Sequence, residues 1–218
     1  MSKGTQFGRG LGQSCPDVIR GMLLGLGLIL AVPASSQAFE SGQDASIFLS
    51  GFGAGQSGGA LAFNHPGGVA SDGSRLLLAD KNNHRVLIWN RIPSDNSPPD
   101  IVLGQESMES NIPGAARDQL NWPVTLSVGG GRLVVADSNN HRLLIWNSIP
   151  SRNGQEADLE IAFHSTDRSD LHRRIEWPWG VWTDGTRLIA TSTVGDSALL
   201  IWNSFPRVDD QPADLVLR

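Results

Sequence analysis

The chain has 218 residues, with 17 Lys and Arg against 22 Asp and Glu, a formal net charge of −5, one cysteine and no tyrosine. At 39% hydrophobic and 18% charged residues it lies outside the composition of disordered chains, and its 25 Gly and 12 Pro suit many tight turns. The acidic balance argues against a nucleic-acid or anionic-membrane partner, both of which select clustered Lys and Arg, and the lone Cys15 excludes a disulfide framework and a cysteine-based zinc site.

The first element in chain order is an address. Lys3, Arg9 and Arg20 precede an uncharged apolar run from Gly21 to Val32, Pro33 breaks it, and Ser36-Gln37-Ala38 offers small residues where a signal peptidase reads. Residues 1–38 are therefore predicted to be a secretory signal peptide cleaved after Ala38, leaving a secreted or periplasmic product with no membrane attachment. The run is short for a bilayer span, and Cys15 lies before it, whereas a lipoprotein cysteine follows such a run. After Ala38 the chain holds a single lysine, Lys81, and no cysteine, so burial alone must hold the exported fold.

From there one unit recurs three times. Ile88-Trp89-Asn90 returns as Ile145-Trp146-Asn147 and Ile201-Trp202-Asn203. Pro66, Pro123 and Pro178 each stand nine residues before Arg75, Arg132 and Arg187, and Pro93, Pro150 and Pro206 each follow the Trp by four. An Asp opens a short apolar run near each unit's end, at Asp100, Asp158 and Asp214. The units occupy about 62–105, 120–163 and 175–218, and residues 46–52 (SIFLSGF) read as a stray outer strand. Each unit is predicted to hold four short strands. In the first these are Gly68 to Ser71, Arg75 to Asp80, Arg85 to Trp89 and Ile101 to Leu103. In the second they are Thr125 to Val128, Arg132 to Asp137, Arg142 to Trp146 and Leu159 to Ile161, and in the third Gly180 to Thr183, Arg187 to Ser192, Ala198 to Trp202 and Leu215 to Leu217. Glycine turns join the first two strands of each unit, where a positive φ is needed. The third strand is apolar at consecutive positions, Val86-Leu87-Ile88-Trp89, where a sheet with one wet face would alternate. Four-stranded units covered on both faces and repeated in tandem predict an all-β fold, three blades of a β-propeller.

Asn83-His84-Arg85 after Leu-Ala-Asp and Asn140-His141-Arg142 after Val-Ala-Asp resemble the signature of NHL-repeat proteins, and the likeness extends over about Ser46 to Arg218. The resemblance implies a propeller of NHL-type blades; proteins of that kind include scaffolds, RNA binders and a few metal-dependent lyases, so it identifies the fold better than an activity. The third unit departs from the pattern. It has Ser192 and Ala198 where the others have Asp80 with Arg85 and Asp137 with Arg142. Joint loss of the Asp and the Arg reads as a cross-hairpin ion pair acting as one structural unit. Three blades do not close a ring, so the chain is expected to be the front of a longer protein, half of a paired ring, or an open solenoid.

Strand order places the loop into the first strand and the loop between strands two and three at one end. That end collects His65, Trp122 and Trp177 before the repeat prolines, together with Asn83, His84, Asn140 and His141. These aromatics, amides and imidazoles suit a protein or polysaccharide ligand, although each residue singly also suits a packing or turn role. The first strands carry no His, Asp or Glu toward the central channel, and no Gly-x-Ser-x-Gly elbow occurs. The expectation is an exported, non-catalytic scaffold without cofactor, able to self-associate through open blade faces. The alternative is a fragment of a metal-dependent lyase or lactonase-like propeller whose site lies in blades outside these residues.

Overall fold

The computed structural model describes Gln43, Ala45 and residues 60–162, 170–194 and 197–218. The predicted signal segment 1–38 and the stray strand 46–52 lie outside the described residues. All the described sheets lie in the compact unit Asp44–Arg218. Blade one comprises β1 (Pro66–Ser71), β2 (Leu76–Asp80), β3 (Arg85–Trp89) and β4 (Ile101–Leu103). Blade two is β5 (Pro123–Gly129), β6 (Arg132–Asp137), β7 (Arg142–Trp146) and β8 (Leu159–Ala162). Blade three is β9 (Pro178–Thr183), β10 (Leu188–Ser192), β11 (Ala198–Trp202) and β12 (Leu215–Leu217). Each is an antiparallel four-stranded sheet in chain order. The only helical elements among the described residues are three single 3-10 turns, Lys81–Asn83, Ser138–Asn140 and Leu171–Arg173. The innermost strands β1, β5 and β9 lie side by side, as in a propeller, and the three sheets do not close into a ring.

The core lies between blades, and period-two alternation divides it. On β6, Leu133 and Val135 turn toward blade one while Val134 and Ala136 turn toward blade three. On β7, Leu144 and Trp146 take the first side and Leu143 and Ile145 the second. Both faces of the middle sheet are thus dry, which is why its third strand reads as an unbroken apolar run. The outer face of blade one, expected to be bare, is instead lined by Leu61, Phe63 and Met108 packed on Leu87, Trp89 and Val102. Leu61 and Phe63 precede β1 and Met108 follows β4, so the chain on either side of the sheet covers this face.

The repeated residues have shared tasks. Trp89, Trp146 and Trp202 are buried, and each indole N–H donates to a carbonyl of its own β3–β4-type loop, at Ser97, Gln155 and Gln211 (3.0, 3.0 and 2.9 Å). The Asp that opens each fourth strand accepts from the backbone N–H of the Asn after the Trp, always at 2.7 Å. Blades also latch to one another. Asn153 Oδ1 accepts from Val102 N–H and Gly154 N–H donates to Val102, tying blade two's loop to β4. Asp209 and Asp210 accept from Glu160 and Ala162 N–H in the same way, tying blade three's loop to β8. Between inner strands the backbones approach closely: a Cβ on Gly68 would lie 2.7 Å from Thr125 Cα, so only glycine fits.

In the β9–β10 turn, Asp184 Oδ1 accepts from the N–H groups of Arg187 (2.7 Å) and Thr186 (2.8 Å), and Oδ2 pairs with the Arg187 guanidinium (2.8 Å). These donors, the Arg187 backbone N–H foremost, favour the charged carboxylate and lower its pKa from 3.8 to about 2. The turn's stabilisation is therefore complete above about pH 3.8 and is lost as pH falls through about 2. An NMR titration of the Asp184 carboxyl carbon should give a midpoint about 2; an unshifted midpoint would mean that the turn does not hold these bonds in solution.

Candidate functional site

At one end of the blades the chain enters each first strand through a residue held at positive φ: His65 (51°), Trp122 (61°) and Trp177 (48°). The residue closing each of the first two 3-10 turns does likewise, His84 at 53° and His141 at 52°. Left-handed backbone costs a side-chain-bearing residue roughly 1–2 kcal/mol, and bulky residues rarely adopt it. Here it is over-determined. Trp122 N–H donates to His84 Nδ1 (3.1 Å) and Trp177 N–H to His141 Nδ1 (3.0 Å). Each blade's histidine thus holds the next blade's tryptophan backbone. An accepting Nδ1 places the neutral imidazole's proton on Nε2, and burial lowers the His84 pKa from its ordinary 6.5, favouring that neutral form.

The side chains so positioned form a continuous half-buried row. Lys81 Nζ stands 4.5 Å from the Trp122 ring centroid. Trp122 and Trp177 meet edge-to-face at 6.4 Å and 89°, and Trp177 meets His141 at 5.8 Å and 72°. Such contacts contribute about 0.5–1.5 kcal/mol for each aromatic pair and about 0.5–1 kcal/mol for a partly exposed cation on a ring. Lys81 belongs to the row although sequence reasoning did not select it. The repeat puts Ser138 at the equivalent place, so periodicity gave no signal; its being the single lysine after Ala38 was the available clue.

The other predicted residues divide. His65 is exposed and bonded to Asn64 Oδ1 (2.9 Å) and Asn82 Nδ2 (3.0 Å), and it stands outside the ring contacts of the aromatic row. Asn83, placed by sequence on the binding face, is fully buried and donates to Asp80 Oδ2 and Ala62 O at 2.8 Å each. Asn140 is half-buried and donates to Asp137 Oδ2 (2.7 Å) and Gly114 O (2.8 Å). These two amides brace the carboxylates behind the surface: with His at positive φ, the preceding Asn turns inward.

The expected ion pairs are present and dry. Arg85 Nε lies 2.8 Å from Asp80 Oδ2 with both side chains 0% exposed, and Arg142–Asp137 repeats the distance. Each arginine also donates to inter-blade loop carbonyls, Arg85 to Met108, and Arg142 to Ala115 (2.6 Å), Ala116 (2.9 Å) and Gln119 (3.0 Å). Each aspartate accepts at 2.7 Å from the N–H of the residue two before the repeat proline, Asn64 or Asn121. Blade three keeps that bond with an alcohol: Ser192 Oγ accepts from Glu176 N–H (2.9 Å) and donates to its carbonyl (3.1 Å). Arg174 beside Glu176 (3.2 Å) supplies a different ion pair. No group of three or more His, Cys, Asp or Glu is placed to hold a metal among the described residues.

Residues 63–89 and 120–146 match the NHL repeat. The chain thus carries that motif twice, on blades one and two of a partial propeller whose third blade has lost the Asp and Arg. No curated protein matches it. Among solved structures, a candidate 6-phosphogluconolactonase from Bacteroides uniformis is similar at 15% identity and TM-score 0.43, over 66% of this chain and 38% of that one. The chain thus spans well under two thirds of that protein's length.

Proposed function

We propose that this partial NHL-type propeller is an exported, non-catalytic scaffold that binds a protein or glycan through the end where Lys81, Trp122, Trp177 and His141 meet. The observation that carries the reading is this row itself, 6.4 Å and 5.8 Å between successive rings with a lysine at its head, on backbone held in left-handed conformations. Strained residues concentrate where a surface must be presented in one shape. Flat indoles stack on sugar faces and on peptide side chains, and the lysine favours a partner with acidic groups. The reading is tested by titrating the chain with a panel of neutral and uronic-acid oligosaccharides and acidic peptides while following tryptophan fluorescence. Saturable binding that falls at least about ten-fold in Trp122→Ala and in Lys81→Gln supports it; binding that ignores both substitutions places the ligand elsewhere, and no binding by any probe removes the glycan and peptide assignment.

The second reading, a piece of a propeller enzyme of lyase or lactonase kind, is the one on whose side the name of the similar solved protein falls. At its TM-score of 0.43 that likeness supplies no chemistry for these residues. Stoichiometric Ca²⁺ or Zn²⁺ in a version carrying further blades would favour it over the scaffold.

A further inference from the structure

At the opposite end of the blades, the turns between first and second strands carry the three repeat arginines. Arg75 pairs with Asp72 (3.0 Å) and Arg187 with Asp184 (2.8 Å), each across its own turn. Blade two's turn is Gly129-Gly130-Gly131, without a carboxylate, and Arg132 makes no ion pair among the described residues. The glycines are required by packing: a Cβ on Gly129 would lie 2.5 Å from Thr183 O, and one on Gly130 2.9 Å from Gly185 Cα. Close seating of blade three has therefore removed the acid that neutralises this arginine elsewhere.

Arg132 is positioned nevertheless. One terminal nitrogen donates to Gly185 O (2.5 Å), and the guanidinium lies 4.7 Å from the Phe205 ring centroid. Its Nε is buried with no hydrogen-bond acceptor, an expensive state for a charged donor. Arg132 also lines a cavity of about 420 Å³ between blades two and three, together with Arg207, Asn147, Thr186 and Ser204. No Asp or Glu is in that lining, although the chain carries a net charge of −5. We propose that this cavity is a binding site for an oxyanion, the carboxylate or phosphate of a small polar ligand. Arg132 is its fixed cation, Arg207 its exposed second cation, and the Thr186 and Ser204 hydroxyls and the Asn147 amide are its neutral donors. Planar guanidinium donors match both oxyanions.

Calorimetric titration of the whole chain with inorganic phosphate and, separately, with succinate at low ionic strength tests this. Saturable binding is expected, weakened by added salt and reduced about ten-fold in Arg132→Gln and in Arg207→Gln, with Arg75→Gln, already paired to Asp72, unchanged. Preference for phosphate assigns a phosphoryl ligand and preference for succinate a carboxylate. Should Arg132→Gln fail to fold, the exposed Arg207 decides alone. Binding of neither anion, or equal binding by Arg207→Gln and wild type, overturns the proposal.

Discussion

Replacing Arg85 by alanine is expected to cost about 3–5 kcal/mol of folding stability, the range for removing one partner of a buried ion pair. An ordinary cross-strand charge pair would cost about 0.2–1 kcal/mol. The larger range applies because Arg85 and Asp80 are both 0% exposed, and truncation would leave the Asp80 carboxylate dry and without its guanidinium. The double variant Asp80→Ser with Arg85→Ala should cost clearly less than the sum of the single changes. Serine can keep the bond to Asn64 N–H, as Ser192 does for Glu176 N–H at 2.9 Å, and no unpaired charge remains. Urea denaturation of the four proteins measures this cycle; strict additivity would mean that the two side chains do not act as a pair.

Residues 39–218 are expected to self-associate or aggregate, and the open face of blade three is the cause. Trp182, Ile189, Ile201 and Leu215 stand opposite one another across the sheet, with Thr191, Leu199 and Leu217 forming the next row. On blade two Val134, Leu143 and Ile145, the counterparts of Ile189, Leu199 and Ile201, are fully buried beneath blade three. On blade three the counterparts Ile189, Leu199 and Ile201 are only half-buried, and Trp182, Leu215 and Leu217 beside them are 46%, 44% and 47% exposed. A patch on the order of several hundred Å² is more than soluble monomers usually leave open. Light scattering on the purified segment decides the matter. Reduced association in Trp182→Ser with Leu217→Ser would assign it to this face, Trp182 standing where blade two has Ser127. A discrete dimer would indicate paired half-rings, and a monodisperse, cooperatively melting monomer would overturn the expectation. Further blades added in tandem should restore solubility.

The repeat made the blades legible because each conserved feature has a local cause. Apolar run, glycine turn and buried Trp recur at one spacing, and the strands begin and end within two residues of their expected places. The first strands begin two residues early, at the repeat prolines, because Pro66 already stands opposite Asp80 across a bulge, as Pro123 does opposite Asp137. The site was less legible. Asn83 and His84 are neighbours of like polarity, and only the φ of 53° at His84 decides that the amide points into the core while the imidazole reaches the next blade. Lys81 joins the aromatic row through a contact that crosses from blade one to blade two, and no spacing within one repeat encodes it. The uncovered arginine at Arg132 follows from a contact between blades in the same way. Of the cover on blade one, Phe63 stands at the repeat position of Leu120 and Ile175, whereas Leu61 and Met108 lie outside the first unit, and no repeat spacing encodes their contact with that face.

The latches between blades all point one way along the chain. The outer edge of β4 at Val102 is tied by Asn153 and Gly154, residues made some fifty positions later, and β8 waits in the same way for Asp209 and Asp210. As the chain folds, then, blades one and two each keep an unprotected sheet edge until the loop of the next blade closes it. The protection of each edge is a debt handed forward, and among the described residues β12 is the strand on which it still stands open.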